Sequence, residues 1–313
     1  MPEPYSPSQP IPHPLSLQQR GELPLLRICN RHADAVIALQ GAQLLEYRPR
    51  GDKPVLWLSD RASYQRGHSV RGGVPVCWPW FGAFERNPAN VRAMTADNSA
   101  PPPAHGLVRS CDWTLHSLRD SDDCTEVTLQ LRSDTLQPSL WPQTALLQLT
   151  IGVGATLTMA LTTHNLGDTP LALTQALHTY LAVSAIEQVR LSGFETARYI
   201  DTLDDWREKT QRTAITFNGE TDRIYLDVPH AVQLHDDGWQ RTITLRASGS
   251  SSAVVWNPWI EKSQRLSQFR ADAWRDMVCI ETANVLSNAI ELAPQTSHTL
   301  ALEIDSRPAK LSR

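Results

Sequence analysis

Apolar and polar positions alternate with a period of two along most of this chain. The alternation runs through Ala33–Leu39, Gln43–Tyr47, Thr125–Leu131, Ala145–Ile151, Thr156–Thr162, Leu171–Leu181, Arg223–Val228, Arg241–Arg246, Ala253–Trp256, Met277–Glu281 and His298–Ile304. Most of these segments are rich in Val, Ile, Leu and Thr and end at Gly, Pro, Asn or Asp, as half-buried strands do. The apolar stretch Leu146–Leu161 is interrupted by polar residues and predicts two strands around a turn at Gly152 and Gly154. Helical spacing is rare. Ser263–Ala271 is the best candidate, and the DDWREK stretch from Asp204 is a second.

The chain therefore reads as nearly all β, with more strands than the about seven to nine of an immunoglobulin-like sandwich. One large sandwich and two stacked barrels both accommodate them. No repeat of about 20–50 residues recurs, which argues against a propeller or solenoid. Residues 1–20, beginning MPEPYSPSQPIPHPLS, predict a Pro-rich extended lead-in. Residues 21–308 predict a single domain, because no linker divides them. The polar, Pro-rich segment Glu85–Pro103 reads as an excursion, since strand patterns resume on both sides.

Strand parity supplies the first chemistry. In Leu171–Leu181, Leu171, Leu173, Leu177 and Leu181 share one face, while Thr174, Ala176, His178 and Tyr180 share the other. In Met277–Glu281, Val278 and Ile280 share one face, while Met277, Cys279 and Glu281 share the other. Two segments far apart in sequence thus each present a titratable group away from an aliphatic face. Solvated surface positions would give the same pattern. Two aromatic clusters stand out as well: RGGVPVCWPWFG (Arg71–Gly82) and VVWNPWIEK (Val254–Lys262). Aromatic rings at strand ends serve either as plugs of the core or as flat walls on which sugar rings stack. AHGLVR (Ala104–Arg109) sets His105 and Arg109 on one face of an extended chain.

Charge and composition narrow the classes. The 313 residues carry 29 basic and 33 acidic groups, a net charge of −4, so no basic excess exists to grip nucleic acid. Any bound anion needs a local cluster. Arginine supplies 25 of the 29 cations, which reflects either genome coding bias or bidentate anion recognition. The five cysteines, Cys29, Cys77, Cys111, Cys124 and Cys279, are widely spaced and form no C-x-x-C. That excludes a disulfide framework and a zinc knuckle and fits reduced thiols in a cytoplasmic protein. The N-terminus lacks the basic and apolar regions of a signal peptide, and no run of about 18 apolar residues predicts a membrane span. No dinucleotide or phosphate-loop glycine frame, no short-range His spacing for zinc, and no G-x-S-x-G occurs.

The segments RGGVPVCWPWFG, AHGLVR, ALHTYLAV, LSGFETARYID, VVWNPWIEKS and MVCIETANV, in this order, resemble the hexose-6-phosphate mutarotase (glucose-6-phosphate 1-epimerase) branch of the aldose 1-epimerase family. The resemblance runs from about Leu25 to Ile304. It implies a galactose-mutarotase-like β-supersandwich with an open groove on one sheet. It implies interconversion of the α and β anomers of a sugar phosphate, with no metal and no cofactor. On this sequence it makes His178 the expected general acid and Glu281 the expected general base. It assigns His105 and Asp201 to sugar hydroxyls or the ring oxygen, and Arg71 and Arg109 to substrate, the phosphate in particular. Two departures stand out. The Glu85–Pro103 loop is longer than in this branch and leaves Arg86 and Arg92 unaligned, and Leu107-Val108 replaces the usual Phe-Ala.

Mutarotation needs one base and one acid, and no cofactor. A carboxylate with a pKa near ~4.3 and an imidazole near ~6.5 cover both tasks at neutral pH. Three alternatives remain. One is an aldose 1-epimerase for free hexoses, and another is a non-catalytic sugar-phosphate-binding sandwich. The last is a glycosidase drawing on Glu281 and Asp201, which ranks lowest. The expected partner is a small-molecule sugar phosphate, with no nucleic acid and no membrane, and the expected state is a monomer.

Overall fold

A computed structural model describes residues 15–96 and 101–309. Almost all of its regular structure is antiparallel β, and its two helices, Ala89–Arg92 and Trp259–Ser263, are single turns. Four sheets are present among the described residues. The nine-stranded sheet carries the order Ile215–Thr216, Val189–Ser192, Ala231–Asp236, Arg241–Ser248, Ser297–Pro308, Leu157–Asn165, Ala145–Gly154, Cys124–Arg132, Thr114–Asp120. The eight-stranded sheet carries Arg207–Thr210, Arg198–Asp201, Thr221–Leu226, Ser252–Asn257, Met277–Asn284, Gln175–Leu177 and Val76–Cys77, with Tyr180–Ala182 also paired to Met277–Asn284. A four-stranded meander, Leu15–Pro49, and a two-stranded pair, Leu171–Leu173 with Ile290–Leu292, complete the set.

The sheets share one apolar core. Val255, Val278 and Ile280 of the eight-stranded sheet belong to the same buried cluster as Leu147, Leu149, Leu161 and Leu300 of the nine-stranded sheet and Leu26, Ile28 and Ile37 of the meander. This selects the large sandwich over stacked barrels, because two barrels would each enclose a separate core. A smaller cluster, including Ala176, Ile224, Val254, Ala283 and Val285, lies on the opposite face of the eight-stranded sheet.

Four local expectations change. Leu15–Arg20 is a strand paired with Leu23–Cys29, so the ordered fold begins inside the expected lead-in; residues 1–14 lie outside the described residues. The strand Ala145–Gly154 runs through both glycines, and the turn falls after them. A side chain at Gly152 would meet the Thr158 hydroxyl and the Cys124 thiol, so glycine there lets adjacent strands close up. The helical turn near Ser263 ends at that residue instead of starting there. Asp205 and Trp206 both adopt positive φ, 50° and 59°, forming a tight hairpin turn into the strand Arg207–Thr210 where a helix was expected.

The Leu171–Leu181 segment divides into Leu171–Leu173, Gln175–Leu177 and Tyr180–Ala182. The ladder breaks because the His178 amide donates to Pro75 and the Thr179 amide to Leu177. Register nevertheless carries straight across the break. Leu177 pairs with Thr282 and Tyr180 with Cys279, which sets His178 opposite Glu281.

Candidate active site

The groove lies on the face of the eight-stranded sheet that points away from the core. Two rows of side chains on this face underlie it. Tyr180, Cys279, Trp256 and Asp222 are successive cross-strand neighbours in one row, and Glu281, Val254, Ile224 and Ile200 in the next. The groove has a volume of about 520 Å³, and Arg71, His105, His178, Asp222 and Glu281 line it. A second cavity of about 390 Å³ adjoins it, sharing Arg71, His105, His178 and Tyr180 and adding Arg109. Five of the six site residues expected from the sequence therefore meet in one continuous depression.

His178 and Glu281 form its centre. His178 Nε2 lies 3.4 Å from Glu281 Oε1, and the two residues are 9% and 2% exposed. The second oxygen, Glu281 Oε2, and the far nitrogen, His178 Nδ1, have no hydrogen-bond partner. Burial drives both groups toward their neutral forms. It holds the Glu281 carboxyl well above the usual carboxylate range, with Asp222 adding to the rise. It holds His178 well below the usual imidazole value, with His105, Arg109 and Arg71 adding positive or partly positive charge nearby. The His178 ring stacks on Tyr180 at 4.8 Å and 7°, and Trp256 stands edge-on to both rings. Tyr180 in turn accepts a 3.3 Å bond from Arg71 Nη1. Packing thus fixes the imidazole plane before any ligand arrives.

His105 reaches the groove through strained backbone. Its φ is 63° and that of Gly106 is 78°. A side chain at Gly106 would sit 1.9 Å from the Trp78 carbonyl, so only glycine allows this close crossing. The Gly82 amide donates to His105 Nδ1 at 3.4 Å, which leaves the ring proton on Nε2. Enclosure, with Arg109 and Arg71 nearby, pushes His105 down to about 3, so it is a neutral donor at physiological pH. Arg71 is carried by a turn that folds against the meander. The Gly73 amide donates to Trp57, and Gln43 Nε2 donates to the Gly72 carbonyl at 2.7 Å. Arg109 is tied back by a 2.7 Å bond to the Ala104 carbonyl.

Asp201 is the exception. It pairs across the sheet with Arg223, on the face opposite Asp222, and does not line the groove. Its carboxylate is 2.7 Å from Lys209 Nζ. The carboxylate that does face the groove is Asp222, one residue earlier on the neighbouring strand than Asp201's partner. Lys262 holds it at 3.6 Å, and Glu220 lies 2.9 Å from the same ammonium. Asp222 was readable from the alternation of the Thr221–Leu226 strand. The aromatic clusters divide likewise. Trp78 and Trp80 are fully buried core plugs, whereas Phe81, Trp256 and Trp206 wall the groove. Arg86 stacks over the Trp206 ring at 4.7 Å and brings the unaligned loop into the rim.

One donor atom from each of His178, Cys279 and Glu281 lies within 4.8 Å of the other two, which makes this trio the grouping that could hold a metal ion among the described residues. Burial raises the Cys279 thiol well above its usual value. Among the described residues, no helix is long and apolar enough to cross a membrane.

Comparison with known proteins agrees with this geometry. A relative in Escherichia coli strain K12, provisionally named glucose-6-phosphate 1-epimerase, is 35% identical over 270 residues, spanning 86% of each chain. The crystal structure of a provisionally assigned mutarotase from Salmonella typhimurium superposes with a TM-score of 0.84 at 31% identity, covering 94% of each chain. A galactose mutarotase-like protein from Lactobacillus casei, at 16% identity, shares the fold with a TM-score of 0.68, covering 90% of this chain and all of its own. The architecture is thus the galactose-mutarotase-like sandwich. The aldose 1-epimerase family model matches residues 24–305, nearly the whole domain, and the chain belongs to that family.

Proposed function

We propose that this chain interconverts the α and β anomers of glucose 6-phosphate by acid–base ring opening and closure. The observation that carries this reading is the buried, in-register pair of His178 and Glu281, 3.4 Å apart at the floor of the groove. Burial favours the pair's single titrating proton on Glu281. Its transfer across the 3.4 Å gap to His178 readies the pair, and Glu281 then takes the proton of the C1 hydroxyl while His178 delivers one to the ring oxygen. The C1–O5 bond breaks, the C1–C2 bond rotates, and the ring closes on the other face of the aldehyde with the protons returned. The pair ends with the number of protons it began with, which suits a site that disfavours net charge. Each positioned group contributes about 10²–10⁴-fold.

The surroundings support binding of a phosphorylated hexose. Trp256 and Phe81 offer apolar faces to the sugar C–H groups. Asp222 is placed to accept from hydroxyls, and the His105 Nε2–H to donate. Arg71 and Arg109 face the adjoining cavity, where a phosphate with about two negative charges would gain charge-assisted bonds. The E. coli relative's name points to the same substrate. Five free cysteines and few exposed large apolar side chains fit a monomer in a reducing cytoplasm.

Two-dimensional exchange NMR of the anomeric protons tests the reading. Enhanced exchange for glucose 6-phosphate but not for glucose is the expected result. Equal enhancement of both sugars makes the chain a general aldose mutarotase. Binding without enhancement of either overturns the catalytic assignment.

A further inference from the structure

We propose that His178, Cys279 and Glu281 form an inhibitory Zn²⁺ site that closes the groove to sugar. This rests on the reading of the groove as the catalytic site only for its inhibitory consequence; the metal site itself stands on geometry. The Cys279 thiol has no part in ring opening, yet it points to the groove face between Tyr180 and Trp256, from the same strand as Glu281. The three donors lie within 4.8 Å of one another, and all three residues are buried. Glu281 Oε2, in this cluster, has no hydrogen-bond partner, and Glu281 is 2% exposed.

An imidazole, a thiolate and a carboxylate are a zinc donor set. With bonds of about 2.0–2.3 Å, tetrahedral zinc ligands sit about 3.5 Å apart. The His178–Glu281 separation of 3.4 Å already meets that spacing, and the sulfur, within 4.8 Å of both donor atoms, must move inward on binding. Three protein ligands leave a fourth position open toward the groove, for water. The sulfur selects zinc over the hard ions Mg²⁺ and Ca²⁺, which prefer oxygen. On binding, the thiol proton, and any proton on the carboxyl, leave to solvent through the groove, and Zn–S, Zn–N and Zn–O bonds form with no redox change. The bound ion occupies both proton-transfer groups, so sugar and zinc exclude each other.

Co²⁺, titrated into the metal-free full-length protein, is the first probe. Binding must bring a thiolate-to-cobalt charge-transfer band that Zn²⁺ abolishes and that Cys279→Ser lacks. This readout needs no activity, so it separates failure of the metal site from failure of the mutarotase reading. In exchange NMR, equimolar Zn²⁺ should suppress wild-type exchange, EDTA should restore it, and Mg²⁺ should have no effect. Cys279→Ser should keep its basal exchange and lose zinc sensitivity by about tenfold or more. Should the serine variant fold poorly, Cys279→Ala serves the same comparison. No charge-transfer band in wild type, or equal zinc sensitivity without the thiol, overturns the proposal.

Discussion

The two large sheets meet the same core but face different worlds on their other side. In the Leu157–Asn165 strand of the nine-stranded sheet, Leu157, Met159 and Leu161 are buried, while Thr158 is exposed and Ala160 and Thr162 are half-buried. In the eight-stranded sheet, every residue of Ser252–Asn257 and Met277–Asn284 is buried. One sheet has water on its outer face, and the other has the groove and its loops. Polar residues are therefore unremarkable in the first and must be partnered in the second. Asn257 Nδ2 donates to the carbonyls of Trp274 and Met277, and Asn284 Nδ2 to Gly249 and Asn288. Gln175 Oε1 also lacks a partner in this sheet, but among the described residues Glu281 Oε2 and His178 Nδ1 are the unpartnered buried atoms that belong to groove-lining residues, which fits the proposed reaction there.

The contrast can be broken at its sharpest point with Glu281→Gln. Removing the proton acceptor at constant volume should lower anomer exchange by about 10²–10⁴-fold while thermal unfolding stays cooperative at an equal or higher Tm. Normal exchange in this variant would remove Glu281 from the mechanism. Leu149→Ala, in the core face of the other sheet, should do the reverse. It should cost about 2–5 kcal/mol in denaturant unfolding and leave kcat essentially unchanged. A collapsed kcat in the folded variant would mean that the sheets are coupled. Arg71→Ala should raise KM for glucose 6-phosphate by about tenfold to a hundredfold, the loss of about 1.5–3 kcal/mol from charged hydrogen bonds. The KM for glucose should stay put, and an equal rise for both sugars would detach Arg71 from the phosphate. Glu303→Gln, which removes a half-exposed 2.7 Å pair with Arg246 on the solvent face, should change stability by less than about 1 kcal/mol and exchange not at all.

Parity carried the reading of the site a long way, because a strand with one aliphatic face announces its other face. It turned His178 and Glu281 each away from an aliphatic face; the resemblance paired them, and the ladder break beside His178 leaves them opposite each other because it shifts hydrogen bonds and not register. Asp201 was assigned through the resemblance, and strand phase overturns its place in the groove. Asp201 closes a four-residue strand at the tight hairpin, and a one-residue difference in phase sends its carboxylate to Lys209 while Asp222 takes the groove. Leu15–Arg20 escaped for another reason. Only Leu15 is buried in this edge strand, so no alternation betrays it, and its pairing comes from backbone bonds to Leu23–Cys29. The tryptophans were ambiguous because the ring that plugs a core and the ring that walls a groove are the same residue, and only three-dimensional packing separates Trp78 from Trp256.

His178 lies in the break between Gln175–Leu177 and Tyr180–Ala182, and the register carried across that break sets it opposite Glu281, in a sheet whose facing Cβ atoms stand about 4.5–5.5 Å apart. No loop has to be tuned to bring acid and base together. Of the residues proposed to meet the rest of the sugar, Arg71, His105 and Arg109 arrive on connecting segments outside the long strands, as does Arg86 at the rim, whereas Asp222 and Trp256 stand on the sheet itself. In the proposed reading, the proton relay and the phosphate-binding arginines thus belong to separate modules. Exchange of the connecting segments could re-aim the same proton relay at a differently decorated sugar, with the chemistry inherited intact.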